Sequence, residues 1–212
     1  MGRPANRLER SFQIVYRKVM PWEKQFDRDA ALEKAMQTFW ARGYEATSVQ
    51  DLLDSMGLNR GSLYATFGDK HALFLEALRM YDKEVRQRLL RTLREKFSPK
   101  DAIRELLRTF EQQSAEHAPG KGCFLTNTAL ELAAHDKEAR RIVAQSQEEL
   151  EAFFAETIKT GQRTGEISLA ISPRNVARGL LSSFIGLVVL TRSRPEPTLL
   201  RSIVDDAVGR LD

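Results

Sequence analysis

A single cysteine, Cys123, among 212 residues excludes an intrachain disulfide framework and any paired-cysteine zinc site. That usage suits a reducing compartment. Histidine is equally sparse: His71, His117 and His135 are too far apart in sequence for a ligand cluster. Glu131 and His135 lie four apart and could share a helix face, but that pair fits a cap or surface contact better than a metal site. No glycine-rich loop follows a strand to cradle phosphate, and no serine sits in a nucleophile elbow. With no polar catalytic cluster, the expectation is a protein that is not an enzyme and needs no cofactor or metal. No apolar run approaches the roughly 20 residues of a membrane span. The longest, Leu180 to Leu190, is interrupted by Ser182 and Ser183 and suits a buried helix. The N-terminus is basic but has no apolar core leading to a cleavage site, so no secretory signal is expected. Sustained strand alternation is also missing, which leaves an all-α chain.

What is present is a soluble composition, 42% hydrophobic and 29% charged, in a chain long enough to bury a large core. The net charge of +4 is unevenly placed. Arg3, Arg7, Arg10, Arg17, Lys18 and Lys24 face only Glu9 and Glu23 within residues 1–26, so this basic N-terminal extension holds the whole excess. A basic arm on a balanced body is the footprint of contact with nucleic acid at one end, the plainer alternative being a solvated leader. Leu8, Phe12, Val15 or Tyr16, and Val19 give the extension a helical period ending at Met20-Pro21. An isolated helix of this length is marginal, so an extra helix and a frayed one are both open.

Asp27 caps the first secure helix, whose stripe Ala31, Leu32, Ala35, Met36, Phe39 and Trp40 ends at Gly43. Two short helical patterns follow, joined by Gly57-Leu58-Asn59, the spacing of a helix-turn-helix. Thr47 is read as the N-cap of the first, with Gln50 completing a capping box. Val49, Leu52, Leu53 and Met56 form its inward face, and Gly57 supplies the left-handed C-terminal residue. Asn59 caps the second helix, which turns Leu63 and Phe67 inward and Arg60, Gly61, Ser62, Tyr64 and Thr66 outward. Small and hydrogen-bonding residues at the start of such a helix suit a DNA major groove. Asp69 caps a long helix from Lys70 to about Lys96, and Ser98-Pro99 starts a further helical series. Helices are expected over Ala102–Phe110, from Gly122-Cys123 to Leu132, from Asp136 to Thr164, from Ser172-Pro173 through the apolar Leu180–Leu190 run, and from Thr198 to Leu211.

The run G-Y-E-A-T-S-V-Q-D-L-L-D-S-M-G-L-N-R-G-S-L-Y-A-T-F-G-D-K-H-A-L-F resembles the DNA-binding domain of the TetR family of transcriptional regulators, over Asp27 to about Tyr81. The resemblance implies about nine helices: an N-terminal three-helix helix-turn-helix domain over 27–81, linked by the long helix 70–96 to a C-terminal effector-binding and dimerisation domain over 98–212. It implies a cytoplasmic homodimer, paired through its last two helices and bound to a palindromic operator in double-stranded DNA. A repressor released by a small-molecule effector is the function expected. Thr47, Ser48, Tyr64 and Lys70 would mainly grip phosphates, Arg60, Gly61 and Ser62 would approach bases, and Thr66 would be marginal. Gly2-Arg3-Pro4 resembles the short arm that in this family runs straight into the first helix, but here about two dozen residues intervene.

The effector pocket is expected among Phe110, Cys123, Phe124, Asn127, Phe154 and Phe184, with Leu125, Leu130, Phe153 and Thr128 as further wall or anchor candidates. The same residues could be filled core. Cys123 follows Lys121-Gly122 at a helix start, where helix dipole and cation favour a thiolate. The segment G-C-F-L-T-N-T-A-L-E-L-A resembles one found in a branch of the TetR family, some of whose members sense reactive electrophiles. An electrophile- or redox-sensing repressor is therefore an alternative, and a DNA-bound activator or scaffold that recruits a protein partner is another.

Overall fold

A computed structural model describes residues 26–116 and 121–212. The basic extension, apart from Phe26, and His117 lie outside the described residues. Among those described, secondary structure is helical throughout, with no strand.

Helix α1 (Arg28–Arg42) starts where the Asp27 carboxylate accepts from the Asp29 and Ala30 amides, at 3.0 and 3.1 Å. Its buried stripe is Ala31, Leu32, Ala35, Met36 and Phe39, and it stops at Gly43. Helices α2 (Val49–Met56) and α3 (Arg60–Phe67) are joined through Gly57 in the left-handed conformation, φ 70° and ψ 33°. Next comes a continuous helical rod. It comprises α4 (Lys70–Tyr81), a π-helical segment (Asp82–Gln87) and α5 (Arg88–Lys96). An unbroken α-helical stripe was expected along it. The wider π turn changes the register, so that Leu90 and Leu93 are buried while Val85 and Leu89 are only half-buried, and Arg86 turns inward.

Beyond the rod lie α6 (Pro99–Glu116), α7 (Phe124–Glu131), α8 (Lys137–Thr164), α9 (Pro173–Ser193) and α10 (Pro197–Gly209). The Asp136 carboxylate caps α8 and Gly165 ends it in the left-handed region. Helix α9 is long and apolar enough to cross a membrane by length and composition alone. In this fold, however, Ala177, Leu180, Phe184, Leu187 and Val188 are buried against protein, and Arg178 pairs with Glu151 of α8 at 3.0 Å. It is a core helix.

One hydrophobic core runs from Ala31 of α1 to Leu211, without a break at the rod. Its middle is aromatic. Phe74 meets Phe39 edge-on at 5.2 Å and Phe124 of α7 at 5.6 Å, while Tyr81 lies 4.9 Å from Trp40 and 5.7 Å from Phe124. Such pairs add about 0.5–1.5 kcal/mol each beyond the apolar area they remove from water. Phe124 therefore locks α7 onto α4, whose Phe74 and Tyr81 in turn hold Phe39 and Trp40 of α1.

Candidate nucleic-acid interface and effector cavity

The helix-turn-helix is held by local caps and a small apolar core. Ser48, not Thr47, is the N-cap of α2: its hydroxyl accepts from the Asp51 amide at 3.1 Å, and the Asp51 carboxylate takes the Ser48 amide at 2.9 Å. The capping box is thus Ser48–Asp51, one residue later than the expected Thr47–Gln50 pair. Thr47 has no exposed surface, and its hydroxyl donates to the Gly43 carbonyl at 2.6 Å. That bond and burial leave its side chain shaping the loop instead of facing a phosphate. Ser48 is exposed in its place. The Ser48 hydroxyl and amide, followed by Arg42, hold the Asp51 carboxyl down at about 2.

Helix α3 projects as the spacing predicts. The Asn59 side chain accepts from the Ser62 amide at 2.8 Å, while Leu63 and Phe67 are buried. Arg60, Gly61 and Tyr64 are exposed; Ser62 and Thr66 are half-buried on the flanks. Adding a β-carbon at Gly61 would meet only Asn59 Oδ1, at 3.4 Å, so the backbone there has open space before it. Lys70 stands at the first position of α4 with its ammonium 4.2 Å from the centre of the Tyr44 ring. This cation–π contact fixes a positive charge beside the helix-turn-helix. Ser48, Arg60, Gly61, Ser62, Tyr64, Thr66 and Lys70 therefore retain some exposure, and Thr47 alone of the expected contact residues is sealed.

A second site lies at the other end of Phe124. A cavity of about 70 Å³ is bounded by Trp40, Tyr81, Arg86, Phe110, Cys123 and Phe184, with Thr126, Ser146 and further aliphatic side chains behind them. Phe110, Cys123 and Phe184 were expected there, as was Leu125. The other expected residues lie elsewhere. Phe124 fills the aromatic junction, Asn127 donates to the Lys121 carbonyl at 2.9 Å, and Phe154 is solid core. Phe153 is packed under Arg94, Thr128 donates to the Phe124 carbonyl, and Leu130 is 68% exposed. Trp40, Tyr81 and Arg86 were missed because they belong to α1 and the rod, which sequence order assigns to the other half of the chain.

Cys123 is only 4% exposed and makes no side-chain cap for α7. The pKa of the neighbouring Tyr81 hydroxyl is raised well above normal, first by burial and then by Cys123. Lys121 does not face the sulfur: its ammonium donates to Gln37 Oε1 at 3.0 Å and lies over the Trp40 ring. Cys123 is one of the residues that line the cavity.

Polar ties join the two sites. The Glu131 carboxylate accepts from the backbone amides of Tyr44 and Glu45, at 3.1 and 2.8 Å, in the loop before α2. Trp40 Nε1 donates to the Gly122 carbonyl at 3.0 Å, next to Cys123. His71 Nε2 meets Asp136 Oδ2 at 2.5 Å, and the Asp136 carboxyl is held below its usual range: burial opposes this, but the Ala139 amide and His71 outweigh it. The Glu131–His135 pair expected from sequence is not formed; Glu131 serves the loop instead.

Residues 31–77 match the bacterial regulatory proteins of the tetR family, and residues 99–205 match the tetracyclin repressor-like C-terminal domain. The chain is 30% identical over 190 residues to YezE, an HTH-type transcriptional regulator of Bacillus subtilis (strain 168), spanning 89% of this chain and 98% of the relative. It is 31% identical over 145 residues to the HTH-type transcriptional repressor ComR of Escherichia coli (strain K12), spanning 68% of this chain and 69% of ComR. Among solved structures, a cysteine mutant of the TetR family transcriptional regulator CifR, complexed with 26bp double-strand operator DNA, superposes with a TM-score of 0.76 and 27% identity, over 91% of this chain and 100% of that one. Two family matches, one to each half, and a relative aligned along nearly its whole length lead to one conclusion: this chain belongs to the TetR family and is a DNA-binding transcriptional regulator.

Proposed function

We propose that the chain is a cytoplasmic, homodimeric repressor that a small molecule releases from a palindromic operator. The observation that carries this reading is that an exposed α3 surface and an internal cavity share supporting helices. Trp40 and Tyr81, which bound the cavity, sit on the helices that support α2 and α3. A ligand that enlarges the cavity would push on both. Such a ligand acts only through a difference in affinity between the DNA-competent and released states.

At the DNA, Arg60 at the entrance of α3 would take a bidentate contact with guanine, and Gly61 and Ser62 would let the backbone come close. Tyr64, Ser48 and Lys70 would hold phosphates. The homodimer is supported by α9, which bears no charge from Gly179 to Thr191. Ser182 is exposed and Gly179, Ser183, Gly186, Val189 and Leu190 are half-exposed along one face. A small-residue face of this kind suits close packing against its own symmetry mate. The two domains are best divided at 27–81 and 98–212, with the rod beginning in the first and leading to the second.

The test is selection of bound duplexes from random DNA, with wild type and two variants, each followed over a salt series. Arg60→Ala should relax the selected motif at one position in each half-site, worth about 1–3 kcal/mol of discrimination. Lys70→Ala should weaken every site alike and flatten the salt dependence. An unchanged motif with Arg60→Ala removes that residue from base reading.

Cys123 favours a second reading in which the effector is an electrophile, because a free cysteine lines the cavity. Mass spectrometry after mild treatment with N-ethylmaleimide, with DNA release by wild type and Cys123→Ser, separates the two. Equal release by both proteins would leave the thiol as packing.

A further inference from the structure

Seven polar or charged side chains are buried among the described residues, and five of them are bonded. Thr47, Thr128, Thr157 and Thr191 each give their hydroxyl to a nearby main-chain carbonyl, and Arg86 is held by Asp82 and Glu149. Thr126 of α7 and Ser146 of α8 remain. They are 6% and 3% exposed, and neither hydroxyl makes a hydrogen bond with the protein. Both residues line the cavity. Among the described residues, Arg86 Nη1 is the buried side-chain atom that is unbonded and also sealed from any neighbouring space. The Thr126 and Ser146 oxygens are unbonded but not sealed. In residues buried this deeply, the open surface of those oxygens belongs to the cavity they line. Buried hydroxyls left without a partner are costly, and native proteins retain few.

The rest of the lining limits what could satisfy them. On α8 the neighbours of Ser146 are Val143, Gln147 and Leu150, and across the cavity stand Leu106, Phe110, Leu181 and Phe184. Thr109, the other aliphatic hydroxyl in the lining, already donates to the Glu105 carbonyl at 2.8 Å. Arg86 carries the charge of the lining, and two carboxylates occupy it. A charged ligand would therefore lose its hydration without meeting a free opposite charge. A hydroxyl on the ligand is the best complement, because it accepts from one side-chain hydroxyl and donates to the other.

We infer that the cavity takes a compact, uncharged alcohol or phenol, its hydroxyl held by Thr126 and Ser146 and its apolar body by the opposite wall. This rests on the cavity being the effector site. It assigns the polar end of the effector to α7 and α8, and α7 is the helix whose Glu131 holds the loop before α2.

Three matched rings test it on the full chain at pH 7 by titration calorimetry: phenol, toluene and benzoate. Toluene is the more hydrophobic of the two neutral rings, so the decisive quantity is the phenol-to-toluene affinity ratio compared between proteins. Thr126→Val with Ser146→Ala removes both hydroxyls at little change of shape. The ratio should fall by about tenfold or more from wild type to this variant, with toluene binding no weaker. Benzoate should bind most weakly to both proteins. Thr126→Ser restores a hydroxyl at that position and, beside the native Ser146, should keep most of the wild-type ratio. A structural role would behave differently in the unliganded protein. If the hydroxyls serve a ligand, their removal leaves the melting temperature unchanged or raises it, by up to about 2–4 °C. A fall of that size would show that they hold the fold, and it overturns the inference. So do a ratio that the double substitution leaves unaltered, benzoate binding tightest, and failure of both neutral rings to bind. Operator release is measured separately. Phenol that binds as described without releasing DNA defeats the ligand-switch reading and leaves the cavity chemistry standing.

Discussion

Gly43 has two independent reasons to be glycine. Its backbone lies at φ 87° and ψ 173°, a region open essentially to glycine alone. A β-carbon there would also come within 2.9 Å of the Glu131 carboxylate that holds the next two amides. Gly57 has only a milder backbone reason, the left-handed conformation at φ 70° and ψ 33°, with nothing near its absent side chain. Gly57→Ala should therefore cost about 1 kcal/mol and Gly43→Ala about 3 kcal/mol in urea unfolding at unchanged slope. Equal losses would mean that neither the Gly43 backbone region nor the Glu131 contact adds to the cost. At this scale the sequence was legible wherever a residue acts on its immediate neighbours. Asp27, Asn59, Asp69 and Asp136 cap the helices assigned to them. Thr47 and Ser48 were confused because both are good caps in adjacent positions, and the fold separates them by burying Thr47 on the Gly43 carbonyl and pairing Ser48 with Asp51.

At the scale of elements, α2 is short, and its stability depends on the Ser48–Asp51 box. The folded Asp51 carboxyl titrates at about 2, below its ordinary 3.8. A lowered folded value stabilises the fold fully above the unfolded value and loses that effect as pH falls from 3.8 towards 2. Asp51→Asn should thus lower the melting temperature at pH 7 and flatten its decline over that acid window, by differential scanning calorimetry. The same slope in both proteins would place the acid sensitivity elsewhere. The rod shows the opposite case, an element whose existence was legible and whose internal register was not. Its apolar stripe predicts a helix from Lys70 to about Lys96, and the rod runs to Lys96. The π turn at Asp82–Gln87 leaves no mark in residue spacing, because it is held by long-range contacts such as Arg86 with Glu149.

The molecule as a whole is joined at the Phe124 and Glu131 contacts on α7. Removing the Glu131 carboxylate should free the Tyr44 and Glu45 amides without unfolding either half. Glu131→Ala should raise hydrogen exchange at those two amides by about tenfold or more, corresponding to roughly 1.4 kcal/mol, while amides in the α8 core stay protected. Unchanged exchange would show that the aromatic junction alone holds the loop. The proposed dimer makes its own prediction. Gly186→Arg on the half-exposed face of α9 should give a folded monomer in sedimentation, and operator affinity should fall by about 100-fold or more as the two half-sites are engaged separately. A dimer that survives this change would place the interface on another surface.

The sequence by itself determined the all-helical class, most helix ends and the outward face of α3, since these depend on spacing, capping and side-chain polarity within a few residues. The resemblance of Gly43–Phe74 to the TetR family extended that to function. Tertiary structure alone decided which aromatic residues bound a cavity and which fill the core. Phe124 and Phe154 have the same local character as Phe110 and Phe184, and differ only in what the far helices bring against them. It also decided the partners of Glu131, Lys121 and Arg86, each of which is satisfied or left wanting by residues dozens of positions away. Contacts across such separations are set by packing, and packing has no signature in a local pattern.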